Sequence, residues 1–282
     1  MRWRGERQSG NIQDRRGMGG GVAVGGGLLV VVLVASAVFG VSPDKVMQVI
    51  QGVAPQATAP AGNNTALNDD AKQFIAVVLA ETEDVWNAEF QRMGRQYQTP
   101  KLVLFEGQVQ SACGIAGTAV GPFYCPGDAQ VYLDTQFFQV LEQQLGAGGD
   151  FPQAYVVAHE IGHHVQNLLG TMDRAQAMKA RMSEAEYNRV SVQLELQADF
   201  YAGVWAHYAA RTAKTLEPGD IEEGLRAASA IGDDALQRRT QGQVVPDSFT
   251  HGTSAQRVEW FKRGYETGDM SQGDTFASGA VR

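Results

Sequence analysis

Between residues 156 and 165 the chain reads Val-Val-Ala-His-Glu-Ile-Gly-His-His-Val, which sets His159 and His163 four residues apart with Glu160 directly after the first. On a helix, positions i and i+4 share one face about 6 Å apart. Both imidazoles can then reach one ion, as tetrahedral zinc requires. Glu160 stands beside that face, where a carboxylate can take a proton from water acidified by the metal and act as general base for attack on a carbonyl. The apolar neighbours Val156, Val157, Ile161, Val165, Leu168 and Leu169 argue against a pair of solvated surface histidines.

A hydrolytic zinc site needs a third protein ligand and an open fourth position. The extended metzincin pattern would place Gly at 166 and His at 169, but this chain has Gln166 and Leu169. The ligand must come from elsewhere, and Leu194-Glu195-Leu196-Gln197-Ala198-Asp199 offers two carboxylates four apart on one helix face. Glu195 is the expected ligand to a single zinc ion, and Asp199 is expected to support a ligating imidazole from behind. Asp199 itself and Asp173 are the alternative ligands. Set among Leu194, Leu196, Phe200, Tyr201 and Trp205, these carboxylates require a cation or metal partner. His164 lies about 100° round the helix from His163 and so off the metal face. His207 is expected to be a packed or surface histidine.

These residues need rigid carriers. Asp150 stands before Phe151-Pro152 as an N-cap with an early-helix proline, and a helix is predicted from there to Leu169, ending at Gly170. A longer helix is predicted over 183–212, with Ser183 and Glu186 spaced as a capping box. Further helices are expected over 69–93, 137–145, 218–239 and 254–267, and strands over Lys101–Phe105 and Gln130–Asp134. The fold class is therefore α+β and mostly helical.

The whole chain has 282 residues, 44% apolar and 19% charged, with a net charge of −8, which excludes wholesale disorder and argues against nucleic acid as a partner. Residues 21–41 carry no charge and, as a helix, would span about 30 Å. Five Arg precede them within residues 1–16, so the positive-inside rule puts residues 1–20 in the cytoplasm and everything after 41 outside. A cleaved signal peptide, using Ala35-Ser36-Ala37, is the alternative. Residues 42–68 read as a linker and 69–282 as the folded domain. An exported domain permits one disulfide between Cys113 and Cys125, with two reduced thiols as the other reading. No oligomeric state follows from these patterns.

H-E-x-x-H followed some thirty residues later by E-x-x-x-D is the gluzincin pattern, and Glu195 to Asp199 is similar to the matching helix of CAAX prenyl protease-type metallopeptidases. The chain resembles more closely the neutral zinc metallopeptidase family of bacteria. The resemblance covers nearly its whole length, through the Arg/Gly-rich start and apolar span, Gln110-Ser-Ala-Cys113-Gly, Gly121-Pro-Phe-Tyr-Cys125-Pro, Val131-Tyr-Leu-Asp134, His159 to His164, Glu195 to Asp199 and His251 to Arg257. It implies a zincin-like domain in which an edge strand, here Val131–Asp134, receives the substrate by strand addition. His251 is then expected to donate to a developing oxyanion or help bind substrate, a structural loop role being the alternative. The CAAX-type proteins have His-Pro at that place, where this chain has Gly252. Arg257 is expected to pair with a buried carboxylate such as Asp199.

The expected function is a membrane-anchored, extracytoplasmic zinc metalloendopeptidase acting on exported polypeptides. The rivals are a non-catalytic envelope protein stabilised by zinc and a hydrolase of a non-peptide amide in the cell wall.

Overall fold

The computed structural model describes residues 1–16, 65–117, 121–213, 215–277 and 279. The expected span over 21–41, its alternative cleavage site and most of the expected linker lie outside the described residues. Among those described, no helix is long and apolar enough to cross a membrane.

A four-stranded sheet and a set of packed helices build the fold. Its strands are β1 (Ile12–Asp14), β2 (Lys101–Phe105), β5 (Phe123–Cys125) and β6 (Gln130–Asp134), in the order β1-β2-β6-β5. The first three in that order are parallel and β5 is antiparallel to β6. Alternation sorts the side chains: Leu102, Leu104, Val131 and Leu133 face the main core, while Val103, Phe105 and Tyr132 enter a smaller cluster with Val109, Ala116 and Cys125. That second cluster lies under a hairpin of β3 (Gln108–Ser111) and β4 (Gly114–Gly117). A strand covered on both faces reads as a continuous apolar run, which is how Lys101–Phe105 and Gln130–Asp134 appear in the sequence. The disulfide Cys113–Cys125 ties the hairpin turn to β5.

Two sequence expectations need correction here. Val131–Asp134 is not an edge strand, because β2 flanks it on one side and β5 on the other. Among the described residues the sheet ends instead at β1 and β5. Residues 1–16 are not a segment apart from the domain: β1 pairs with β2 in the register Ile12↔Leu102, Gln13↔Val103, Asp14↔Leu104. A three-residue strand whose partner lies some ninety positions downstream leaves no local signature.

The helices are α1 (Thr65–Arg92), α2 (Gln136–Gln143), α3 (Asp150–Leu168), α4 (Thr171–Lys179), α5 (Glu184–Tyr208), α6 (Asp220–Ala230), α7 (Asp233–Gln241) and α8 (Ser254–Thr267). Helix α1 begins inside the stretch expected to be linker. The N-cap of α3 is Gly149 at φ 128°, a left-handed conformation suited to glycine, and Asp150 is the first helical residue. Ser183 does cap α5 through a capping box with Glu186. The single helix expected over 218–239 is two, broken where Gly232 passes so close to Ser254 that an added Cβ would lie 2.3 Å from its backbone nitrogen.

Glycines also set the helix crossings. A Cβ on Gly203 would fall 2.1 Å from the Phe261 carbonyl oxygen, and one on Gly264 the same distance from that of Phe200, so α5 and α8 pack backbone to backbone. Gly162 does this for α3 and α5, since a Cβ there would lie 2.9 Å from the Ala198 carbonyl oxygen. This approach brings the face carrying His159 and His163 against the turn carrying Glu195 and Asp199.

One buried carboxyl works against the fold at high pH. Glu81 on α1 is 8% exposed and its oxygens have no hydrogen-bond partner among the described residues. Burial pushes it up to about 7, the nearby Thr215 hydroxyl offsetting part of the shift. Since the folded value lies above the unfolded one, the folded state binds the extra proton and stability falls as pH rises from 4.5 to about 7. The loss is about 3 kcal/mol, at 1.36 kcal/mol per pH unit. Glu81→Gln should remove this slope, matching wild type near pH 4 and exceeding it above pH 7 in urea unfolding midpoints; parallel pH profiles would refute the assignment.

Candidate metal centre

His159 and His163 project from the middle of α3 toward α5, and Glu195 projects back. The Nε2 atom of His159 lies 3.1 Å from Glu195 Oε2, and that of His163 lies 3.4 Å from Oε1. One ligand atom from each of the three residues falls within 4.8 Å of the others. Tetrahedral zinc with bonds of about 2.0–2.1 Å separates its donors by about 3.3 Å, so the spacing suits that ion. Asp199 does not reach this group and holds His159 from behind, while Asp173 sits on α4 and is not part of the cluster.

The hydrogen bonds behind the imidazoles fix their tautomers. His159 Nδ1 lies 2.9 Å from Asp199 Oδ1, a carboxylate that can only accept, so Nδ1 carries the proton. The amide of Gln166 donates from Nε2 to the Leu194 carbonyl at 2.7 Å and to Gln197 Oε1 at 3.2 Å. Its Oε1 is thereby the acceptor that faces His163 Nδ1 at 2.9 Å. Both Nε2 lone pairs consequently turn inward, the arrangement metal-ligating histidines adopt. Gln166 was missed by sequence reasoning, although a polar residue three positions after His163 in an apolar run was the available signal. Gln166→Leu should weaken zinc binding by about 10- to 100-fold in a competition titration with the helical circular dichroism unchanged; unaltered affinity would remove Gln166 from the site.

Electrostatics point the same way. Burial opposes charging the imidazoles, yet Asp199 and Glu195 raise His159 to about 10, and Glu195 raises His163 as well. Glu195 itself is held well below the usual carboxylate range by His163 and His251 despite its burial. The cluster demands positive charge, which a dication supplies compactly. Glu160, 7% exposed, is raised by burial, an effect partly offset by His163 and His159.

Asp199 is fully buried and anchors a second group of side chains. Arg257 from α8, 2% exposed, gives it Nε at 2.8 Å to Oδ2 and Nη2 at 3.0 Å to Oδ1. Tyr155 donates its hydroxyl to Asp199 Oδ1 and accepts from Arg257 Nη2 at 3.2 Å. Tyr155 was also missed, though Tyr155, His159 and His163 recur at i, i+4 and i+8 on one face.

The His251 side chain is partly exposed at the site, and the charges of Glu195 and Asp233 raise its pKa against partial loss of solvent. Its loop is pinned by Asp233 at the start of α7, whose Oδ2 accepts from the backbone N–H groups of Thr250, His251 and Gly252 at 2.7, 2.6 and 3.0 Å. Asp233 Oδ1 lies 3.3 Å from His251 Nδ1. Gly252 sits at φ 90°, a conformation closed to proline, so a His-Pro pair could not occupy this turn as it stands. His164 points away, its Nε2 donating to the Gln98 carbonyl at 2.6 Å and its Nδ1 accepting from the Tyr124 hydroxyl at 3.1 Å. His207 is bound to the Tyr265 carbonyl at 2.8 Å on the far end of α5.

Known proteins resemble this chain along its length. A family model described as "Putative neutral zinc metallopeptidase" matches residues 1–276. The protein named "Uncharacterized protein YpfJ" of Escherichia coli is 48% identical over 288 residues, covering 98% of this chain and 99% of its own length. "Uncharacterized protein Rv2575" of Mycobacterium tuberculosis is 46% identical over 219 residues, covering 74% of this chain and 73% of its own. No solved structure matches.

Proposed function

From the neutral zinc metallopeptidase family, to which this chain belongs, we infer that it is a zinc-dependent endopeptidase cleaving peptide bonds in exported polypeptides. The observation that carries this reading is the inward convergence of two oriented imidazoles and one carboxylate, with a second carboxylate, Glu160, next to them. His159, His163 and Glu195 would hold one zinc ion. Zinc bound there supplies Lewis acidity that polarises a carbonyl and acidifies water.

The remaining work falls to the chain's own groups. Glu160 takes the proton of the attacking water and passes it to the leaving nitrogen. Asp199 and Gln166 keep the imidazoles in register, and Arg257 balances the charge of Asp199 in a site closed to solvent. His251, held by Asp233, donates to the oxygen that gains charge as the carbonyl is attacked. The apolar stretch 21–41 attaches the domain to the membrane, and the disulfide supports an extracytoplasmic address. The test is digestion of a peptide library by the purified chain: cleavage should disappear with a chelator and return on adding zinc. Zinc-loaded protein that cuts cell-wall fragments but no peptide would replace this reading with that of a non-peptide amidase, and zinc-loaded protein that cuts neither would leave a binding protein.

A further inference from the structure

We infer that the amino-terminal segment lies on the same side of the membrane as the metal centre, because residues 1–16 are a structural part of the peptidase domain. The inference is independent of what the centre cleaves. Strand β1 extends the sheet in register with β2, with flanking bonds from Leu102 N–H to the Asn11 carbonyl at 2.9 Å and from Arg15 N–H to the Leu104 carbonyl at 2.8 Å. Trp3 is 8% exposed, meets Phe74 edge-on at 5.5 Å, and its indole N–H donates to Asp150 at the start of α3 at 3.2 Å. The backbone is fastened twice more, Arg2 N–H to the Thr215 carbonyl at 2.7 Å and Ser9 N–H to the Ala76 carbonyl at 2.9 Å.

Glu83 on α1 makes this docking hard to dispense with. It is 7% exposed, and its carboxylate takes Arg7 Nη1 at 3.2 Å, Asn11 Nδ2 at 2.8 Å and the Ser9 hydroxyl, all from the amino-terminal segment. Withdrawing residues 1–16 would strand that buried carboxylate, bare the β2 edge and uncover Phe74. A cytoplasmic tail and an outside domain cannot share these contacts across a bilayer. The chain must therefore return after residue 16 to the side it left, which a single crossing forbids. Two helical crossings need about 40 apolar residues, whereas the one long apolar run is residues 21–41, and the uncharged stretch after Asp44 and Lys45 is broken by Gln48, Gln51, Pro55, Gln56, Pro60, Asn63 and Asn64. Any membrane attachment through the apolar run must thus leave β1 and the metal centre on one side, and a signal-peptide cut at 35–37 that released β1 would damage the domain.

The experiment places a single free thiol at either of two exposed positions in the full-length chain, Gln8→Cys or Lys262→Cys, the native cysteines being paired. Sealed vesicles of each orientation are treated with a membrane-impermeant maleimide. Both variants should label in the same orientation and be protected in the other. Labelling in opposite orientations would overturn the inference, as would a mature chain whose mass lacks residues 1–16. Shared labelling only from the cytoplasmic face would uphold it while refuting the extracytoplasmic address. Because labelling is read on folded protein, limited proteolysis of each variant should match wild type, and deletion of residues 1–16 should make the domain protease-sensitive.

Discussion

Glu160→Gln should bind zinc as wild type does and lose peptide cleavage by about 100- to 10,000-fold, the usual contribution of a positioned general base. The substitution keeps shape and removes only the ability to accept a proton. Glu160 is not among the three residues whose donor atoms converge, so metal stoichiometry should be untouched. It is buried, so a neutral amide imposes no added desolvation cost. The loss should fall on kcat, with KM little changed, since the group acts while the bond is being attacked. Metal analysis beside a cleavage assay decides the matter: surviving cleavage would sink the mechanism, and lost zinc would mean that Glu160 is itself a ligand.

Asp199→Ala should be the most destabilising substitution at the centre, by about 3–5 kcal/mol, because it leaves a buried charge without its partner. Among the described residues, Arg257, 2% exposed, would keep the Tyr155 hydroxyl and the edge of His159 as its polar partners. The same change frees the His159 ring, so zinc affinity should drop by about 10- to 100-fold as well. Replacing both members of the pair, Asp199→Leu with Arg257→Met, separates the two effects. Stability should largely recover, since a buried ion pair is often replaceable by apolar packing, while the zinc affinity should not. Recovery of both in a denaturation series and a zinc titration would show that Asp199 only neutralises Arg257 and does not orient the imidazole.

Much of this centre is legible in the residue pattern alone. The four-residue spacing of His159 and His163, the apolar stretch around them and the second pair Glu195 and Asp199 all follow from helical periodicity, a local property. The two central strands, read from continuous apolar runs, and the Ser183 cap of α5, read from its spacing to Glu186, are local in the same way. Less visible are groups whose role depends on a neighbour far along the chain. Gln166 matters because Leu194 fixes the sense of its amide, and Asp233 matters because three backbone N–H groups of the His251 loop converge on it. Val131–Asp134 was misassigned to an edge because strand order is not written in a strand's own residues.

The sequence by itself determined which side chains share a helix face, and therefore which could act together, because a turn of helix is fixed by bonds within a few residues. The tertiary structure decided that the two faces meet. Glu195 reaches His159 and His163 because Gly162 lets α3 close on the backbone of Ala198, and β1 joins the sheet because a distant strand offers it an edge. Those are packing outcomes, set by contacts between segments that no local pattern of residues records.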